Sequence, residues 1–287
     1  MSSSFDDRPS RSEAVQLKYF EVNPNPLSLQ GDSCMTTNSD FSVQLVRNAT
    51  VLVTVDTTTF LVDPMFTPEG EMPTVTDSPG VPEFLTTENQ RRNPLVPLPA
   101  IDLDYDAVVV THRHPDHWDE AAKKELDADV PLFCQPEEAD DFADEGFTDV
   151  RPVDDETSFD DVTIHRTPGR HGHGDLAEGM GPVSGFVFEG GETVYVAGDT
   201  IWYEPVEETL EEFDPDLVVL NGGEAQFEQG DPITMGVDDI TAVREATDAT
   251  VAVVHMEAIN HCLLSRDELR SETEDVLVPE DGEQITL

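Results

Sequence analysis

Apolar residues along this chain gather in short runs rich in Val, Leu and Phe, each closed by Asp, Gly or Pro. Such runs read as strands and the residues that close them as turns. F-S-V-Q-L-V-R (41–47), T-V-L-V-T-V (50–55) and T-F-L-V (59–62) predict three closely spaced strands. Asp56-Thr57 supplies the short turn between the last two, and Asp63-Pro64 ends the series. Val108-Val109-Val110 is a buried strand. Helical period replaces alternation in D-E-A-A-K-K-E-L (119–126), P-E-E-A-D-D-F-A (136–143), E-P-V-E-E-T-L-E-E-F (204–213) and V-D-D-I-T-A-V-R-E-A (237–246). Further strands are predicted at P-L-F-C (131–134), V-T-I-H-R-T-P (162–168), G-F-V-F-E (185–189), T-V-Y-V-A-G-D-T (193–200), D-L-V-V-L-N-G-G (216–223) and T-V-A-V-V-H (250–255). The pair at 185–189 and 193–200 forms a hairpin around Gly190-Gly191. Strands alternate with helices, so the chain is of mixed α/β class.

Two stretches resist this reading. Residues 1–40 are rich in Ser, Asn, Pro and Asp, with only V-Q-L-K-Y-F (15–20) able to form a strand, and they read as a leader. Residues 65–99 hold many prolines and no period, and a loop this long is usually functional. A length of 287 residues suffices for one full core, so 41–287 is read as a single domain.

Charge sharpens the picture. Acidic residues number 62 against 15 basic ones, a formal charge of −47 spread along the whole chain, and lysine occurs only at 18, 123 and 124. At ~1 M salt the Debye length falls to roughly 3 Å and such self-repulsion is screened, so the composition predicts a salt-adapted source. No basic stripe is available to neutralise phosphates, which argues against nucleic acid as a partner. Cysteines stand scattered at 34, 134 and 262, as reduced thiols would. With no 18-residue apolar run and no signal-like amino terminus, the expectation is a cytoplasmic protein with no membrane partner. The oligomeric state, including a homo-oligomer, stays open.

The chemistry is concentrated after the 108–110 strand. His112, His114, Asp116 and His117 fall within six residues on a loop at a strand's carboxyl end, where α/β sheets usually carry their sites. Imidazole nitrogen with carboxylate oxygen suits zinc, manganese or iron. Seven of the eight histidines lie in three clusters, the others being His171 with His173, flanked by glycines, and His255 with His261. His165, within a strand, reads as structural.

H-R-H-P-D-H (112–117) resembles the H-x-H-x-D-H signature of the metallo-β-lactamase-fold hydrolases, in their lactonase-like and phosphodiesterase-like branch. Further landmarks follow in the family's order: R-N-A-T-V-L-V (47–53), F-L-V-D-P (60–64), T-P-G-R-H-G (167–172), V-A-G-D-T (196–200) and V-V-H (253–255), within a span from Ser42 to Leu269. The resemblance implies a four-layer αββα sandwich of two mixed sheets flanked by helices. It implies two divalent metal ions, zinc before manganese or iron. His112, His114 and His171 would hold the first, Asp116, His117 and His255 the second, and Asp199 would bridge. Position favours His171 over His173. A hydroxide shared by the ions would attack an ester, lactone or phosphodiester of a small-molecule substrate, with Asp116 orienting it.

Other assignments are less determined. His261 is either a proton donor or a core residue, and Asp63 lies either near the metal floor or in a strand-ending turn. The resemblance places 65–99 over the active-site mouth, making Phe66, Phe84, Arg91, Arg92 and Leu95 candidates for substrate contact. The loop through Gln226, Phe227 and Thr234-Met235 should face the metals, and the metals with Arg113 and Arg170 should make a local positive focus inside an acidic shell. Cys262 beside His261 looks like a thiol and base, yet sequence neighbours seldom face each other. Two alternative functions share much of this pattern: a mononuclear-iron oxidoreductase acting on a thiol substrate, and a non-catalytic metal-binding protein.

Overall fold

The computed structural model describes residues 41–75, 92–228 and 230–287. The leader at 1–40, its expected strand, Phe84 and Arg91 lie outside the described residues. Six strands come first: β1 (Ser42–Arg47), β2 (Thr50–Val55), β3 (Thr58–Val62), β4 (Ala107–Val110), β5 (Leu132–Cys134) and β6 (Val150–Pro152). β7 (Glu156–Phe159), β8 (Val162–Pro168), β9 (Ser184–Glu189), β10 (Thr193–Val196), β11 (Leu217–Asn221) and β12 (Thr250–Val254) follow, and β13 (Gln284–Ile285) ends the series. They build two mixed sheets, ordered β13-β1-β2-β3-β4-β5-β6 and β12-β11-β10-β9-β8-β7.

Alternation along the strands decides the layering. Val51, Val53, Val55, Phe60, Val62 and Val109 of the first sheet meet Ile164, Phe186, Phe188, Val196, Val219 and Ala252 of the second in one apolar layer. Phe60 and Phe188 are both fully buried with ring centroids 4.8 Å apart, and burial of each side chain contributes about 1.5–3 kcal/mol. Helices cover the outer faces. α1 (Ala122–Glu125) and α2 (Ala139–Asp144) pack Ala122 and Phe142 on the first sheet. After α3 (Gly174–Met180), helices α4 (Glu204–Phe213), α5 (Val237–Ala246) and α6 (Arg266–Glu272) pack Leu210, Val243 and Leu269 on the second. The layers run α, β, β, α, the metallo-β-lactamase arrangement.

Strand direction places the site. β3, β4 and β5 run parallel to one another, as do β10, β11 and β12. β8 and β10 both pair antiparallel with β9 and therefore end at one edge. The carboxyl ends of β3, β4, β8, β10, β11 and β12 thus share one rim, and every candidate ligand follows one of them.

Two helices differ from expectation. The helix expected over 119–126 forms only at Ala122–Glu125, because Asp119 Oδ1 accepts from the amides of Ala121 and Ala122 and starts the turn there. The one expected over 136–143 opens as a 3-10 turn at Pro136–Glu138 before α2.

Candidate metal centre

Val110 leads into Thr111 and then the histidine loop, and the first event there is a floor. Asp63 ends β3 in the left-handed region, at φ 49°. Its Oδ1 accepts from Thr111 N at 2.7 Å, and its Oδ2 accepts from Thr111 Oγ1 at 2.7 Å and from His117 Nδ1 at 2.8 Å. Both sequence readings of Asp63 describe it: the residue turns the chain and lies under the cluster.

These bonds fix which imidazole nitrogens carry protons. Thr111 Oγ1, already a donor to Asp63, can only accept from His112 Nδ1–H at 3.0 Å. His114 Nε2–H donates to Met180 O at 3.1 Å, and His171 Nδ1–H donates to Ile233 O at 2.8 Å. His255 Nδ1 lies 3.3 Å from Cys262 Sγ, which occupies its outer side. What remains on the inner side of His112, His114, His117 and His171 is a lone pair. His112 Nε2 then faces His114 Nδ1 at 2.8 Å, and His117 Nε2 faces His255 Nε2 at 3.2 Å. Bare lone pairs at such distances repel, so a cation belongs among them.

Carboxylates complete two sets. Asp199 Oδ2 lies 3.3 Å from His117 Nε2 and 3.3 Å from His171 Nε2, while Asn221 Nδ2 donates to its Oδ1 at 2.7 Å and holds the group in place. Asp116 Oδ2 lies 3.2 Å from His255 Nε2. The donor atoms of His112, His114 and His171 fall within 4.8 Å of one another, as do those of Asp116, His117 and His255 and those of His112, His117 and Asp199. The donor set fits divalent ions that accept nitrogen and oxygen ligands.

Charge follows from this crowding. Burial and the neighbouring His117 press His112 well below the ordinary histidine value. Burial also acts downward on His117, but Asp199, Asp63 and Asp116 outweigh it and raise this imidazole to about 10. Burial acts upward on Asp199, which His117 and His255 nevertheless hold well below the ordinary carboxylate range. Where no metal is present, protons on the imidazoles balance the buried carboxylates, and a bound cation displaces them.

Local backbone conformation aims the ligands. Gly198 adopts φ 68°, and a Cβ there would lie 2.7 Å from Ser184 O, so glycine alone lets the chain turn before Asp199. Gly172, at φ 102°, packs against Ile233, whose carbonyl holds His171. His255 itself sits at φ 62° as β12 ends, and its amide is fixed by Asn48 O at 2.8 Å.

A cavity of about 360 Å³ opens over the cluster, with His114, Asp116, His171, Asp199 and His261 at one end and Met72, Val75, Met180, Phe227 and Ile259 around the rest. Its wall is stitched by a buried amide pair. Asn93 Nδ2 donates to Asn260 Oδ1 at 2.8 Å, and Asn93 Oδ1 accepts from Asn260 N at 3.0 Å. Asn260 also binds both backbone groups of Val75. Arg47, fully buried, donates to the carbonyls of Met65, Thr67 and Val96, tying both feet of the 65–99 stretch to β1.

The sequence-predicted residues separate clearly. His112, His114, Asp116, His117, His171, Asp199 and His255 converge, and His261 lies at the cavity wall. His173 starts α3 outside the cluster, and His165 sits between Glu156 and Glu189 against Phe213. The two arginines expected to add to the metals' positive focus are engaged with other groups: Arg113 pairs with Asp141 and Glu145 of the α2 region, and Arg170 stacks on Tyr203 at 4.5 Å. Phe66 is buried in the outer core, and Arg92 donates to Glu71 O and Met72 O. Leu95 bonds Ala258 O through its amide. Of the loop after β11, Phe227 reaches the cavity, whereas Met235 enters the core. Cys262 meets His255, not His261. Thr111 and Asn221 escaped sequence reasoning, although each ends a strand on the ligand rim.

A fold of this kind with histidine and aspartate converging at its rim defines the class, and residues 58–256 match the beta-lactamase superfamily domain. Within that superfamily the chain belongs to the UPF0173 metal-dependent hydrolases. It is 39% identical over 261 residues to the UPF0173 protein YddR of Bacillus subtilis, a match covering 86% of this chain and 100% of that protein. Two solved structures resemble it at 35% identity and a TM-score of 0.78, each covering 86% of this chain and 99% of its own. One is a possible metal-dependent hydrolase from Veillonella parvula, the other an isothiocyanate hydrolase from Delia radicum gut bacteria.

Proposed function

We propose that this protein is a binuclear hydrolase of a small-molecule substrate, in which His112, His114 and His171 hold one divalent ion, Asp116, His117 and His255 hold a second, and Asp199 serves both. The observation that carries this reading is the approach of inner nitrogens, His112 Nε2 to His114 Nδ1 and His117 Nε2 to His255 Nε2, while the outer nitrogens of His112, His114 and His117 donate to Thr111, Met180 and Asp63. When bound, such ions polarise the scissile group and bring a water's pKa to around 7. The family favours hydrolysis over the oxidative alternative. Zinc is the first candidate, with manganese and iron behind it. Free Cys134 and Cys262 and the −47 charge support a cytoplasmic, salt-adapted setting.

The chain's own groups then divide the work. Asp116, whose side chain is 14% exposed, borders the cavity, where its carboxylate orients the attacking water and accepts its proton. Burial, aided by His255 and His171, presses His261 to about 4, so its imidazole is neutral near pH 7 and acts through N–H. It supplies that donor to the leaving atom.

Similarity to the isothiocyanate hydrolase supports an isothiocyanate as the first substrate to try. Water adds across the C=N bond of R–N=C=S, and an amine and carbonyl sulfide result. The test compares zinc-loaded and chelator-stripped protein on benzyl isothiocyanate, p-nitrophenyl butyrate and bis(p-nitrophenyl) phosphate. The expected outcome is hydrolysis of at least one compound, lost on stripping and restored by zinc. Oxygen uptake with one iron per chain and no hydrolysis would instead establish the oxidative reading.

A further inference from the structure

The cavity over the cluster is chemically lopsided. Its ionisable lining, His114, Asp116, His171, Asp199 and His261, lies at the end nearest the candidate ligands. The rest of its lining includes Met72, Val75, Met180, Phe227 and Ile259, of which Met180 meets His114 through its carbonyl and Phe227 lies against His261. Among the described residues that line the cavity there is no lysine or arginine. The amide of Asn93 is spent on Asn260 and Pro73, which leaves the Thr74 hydroxyl as the remaining polar side chain of that wall. Three described arginines are engaged elsewhere, Arg92 with the carbonyls of Glu71 and Met72, Arg113 with two carboxylates and Arg170 with Tyr203. A charged substituent entering this space would lose its hydration and meet no lysine or arginine among the described lining residues, whereas a hydrocarbon would gain by leaving water.

His261 gives the opposite, polar pole. It is 8% exposed, its Nδ1 is buried with no hydrogen-bond partner, and its ring stacks on Phe227 with planes 26° apart. A buried polar atom left unpaired costs free energy, and a ligand at this end removes that cost. Phe227 lies roughly parallel to the imidazole, with ring centroids 6.0 Å apart, and also lines the cavity.

We infer that the site selects an uncharged substrate whose non-reacting part is hydrocarbon, seated on Met72, Val75, Met180, Phe227 and Ile259, with the heteroatom of its reacting group facing His261. This selection rests on the hydrolase reading and narrows it: substrates carrying a fixed charge on the side group are refused. It assigns Phe227 and His261 as specificity-determining residues. The class includes alkyl and aryl isothiocyanates and neutral esters, and leaves out ionised phosphodiesters.

Binding tests this without requiring turnover. Benzyl alcohol and 4-(hydroxymethyl)benzoate present the same hydroxyl and differ by a para carboxylate, 4-(hydroxymethyl)benzamide serves as the neutral control of equal size, and ligand-observed NMR titration gives the affinity of each. The expected result is at least about tenfold tighter binding of benzyl alcohol, with Phe227→Lys reducing that ratio by at least about tenfold. His261→Gln, which keeps an N–H, should retain benzyl alcohol better than His261→Leu. Equal or tighter binding of the carboxylate by the unaltered protein overturns the inference, whether or not any variant folds. A second arm compares kcat/KM for benzyl isothiocyanate and its para-carboxylate with zinc present. Tenfold discrimination in binding together with no hydrolysis of any ester or isothiocyanate overturns the hydrolase reading instead, and leaves the selectivity of the cavity standing.

Discussion

Five imidazoles meet at the centre, and each is turned by whatever holds its outer nitrogen. Asp63 does most of this, since one carboxylate binds His117 and, through Thr111, His112. Loss of such an outer partner typically costs 10–100-fold in metal affinity. Asp63→Asn should therefore weaken metal binding by about that factor with the fold intact, measured by chelator competition and circular dichroism; unchanged affinity would remove Asp63 from this role. Proton linkage gives a second prediction. His117 is raised to about 10 in the folded, metal-free protein from an unfolded value near 6.5. Its protonated form therefore stabilises the fold fully below about 6.5, and that contribution disappears as pH rises towards 10. Chelator-stripped protein should lose Tm across this window at fixed salt, and zinc-loaded protein should lose less, because its imidazole nitrogen no longer takes a proton. Parallel curves would contradict that account. At this scale the ligand positions were legible because the H-x-H-x-D-H run and its companions keep a fixed order. Thr111, Asn221 and the carbonyls of Met180 and Ile233 were not, because a hydroxyl, an amide or a carbonyl carries no pattern until the chain is folded.

Elements position the cavity more than they announce it. Arg47 in β1 anchors the feet of the 65–99 stretch, and the Asn93–Asn260 pair joins that stretch to the turn that carries His261. Asn260→Ala takes the side-chain partner from both backbone groups of Val75 and one of two acceptors from Asn93 Nδ2, and each unmet buried group costs about 1–3 kcal/mol. The expected effect is a loss of stability of that order together with a raised KM, measured by denaturant unfolding and steady-state kinetics; a fall in kcat alone would show that the pair does not shape the binding wall. Long apolar strands such as β2 and β8 were readable from alternation, and β9 with β10 from the Gly190-Gly191 turn. β7, E-T-S-F, is too polar to declare itself, and β13 is two residues long. α3 contains two glycines, and α6 is almost wholly charged, with Leu269 its one apolar anchor. Its start is capped in the structure, where Ser265 Oγ accepts from the amide of Glu268, a Ser-x-x-Glu pattern that the reading of the sequence passed over.

At the scale of the whole molecule the charge of −47 dominates. Local pairs such as Arg266 with Glu257 and Asp281 join distant segments, but 15 basic residues cannot neutralise 62 acidic ones. Self-repulsion therefore opposes compaction at low ionic strength and is screened as salt rises. Tm should climb steeply between about 0.1 M and about 3 M potassium chloride; a flat profile would contradict the salt-adapted reading. The same field surrounds a cavity whose described lining carries no lysine or arginine, so an anionic side group meets repulsion outside and no basic side chain among the described residues within.

The most direct test of the central claim is the metal content per chain of protein kept in molar salt, determined by mass spectrometry of the bound metal for the unaltered chain and for His114→Ala and His255→Ala. Seven ligands in two sets predict about two divalent ions in the first case and about one in each variant. A single ion untouched by either substitution, or no tightly held metal at all, would contradict the binuclear centre described above.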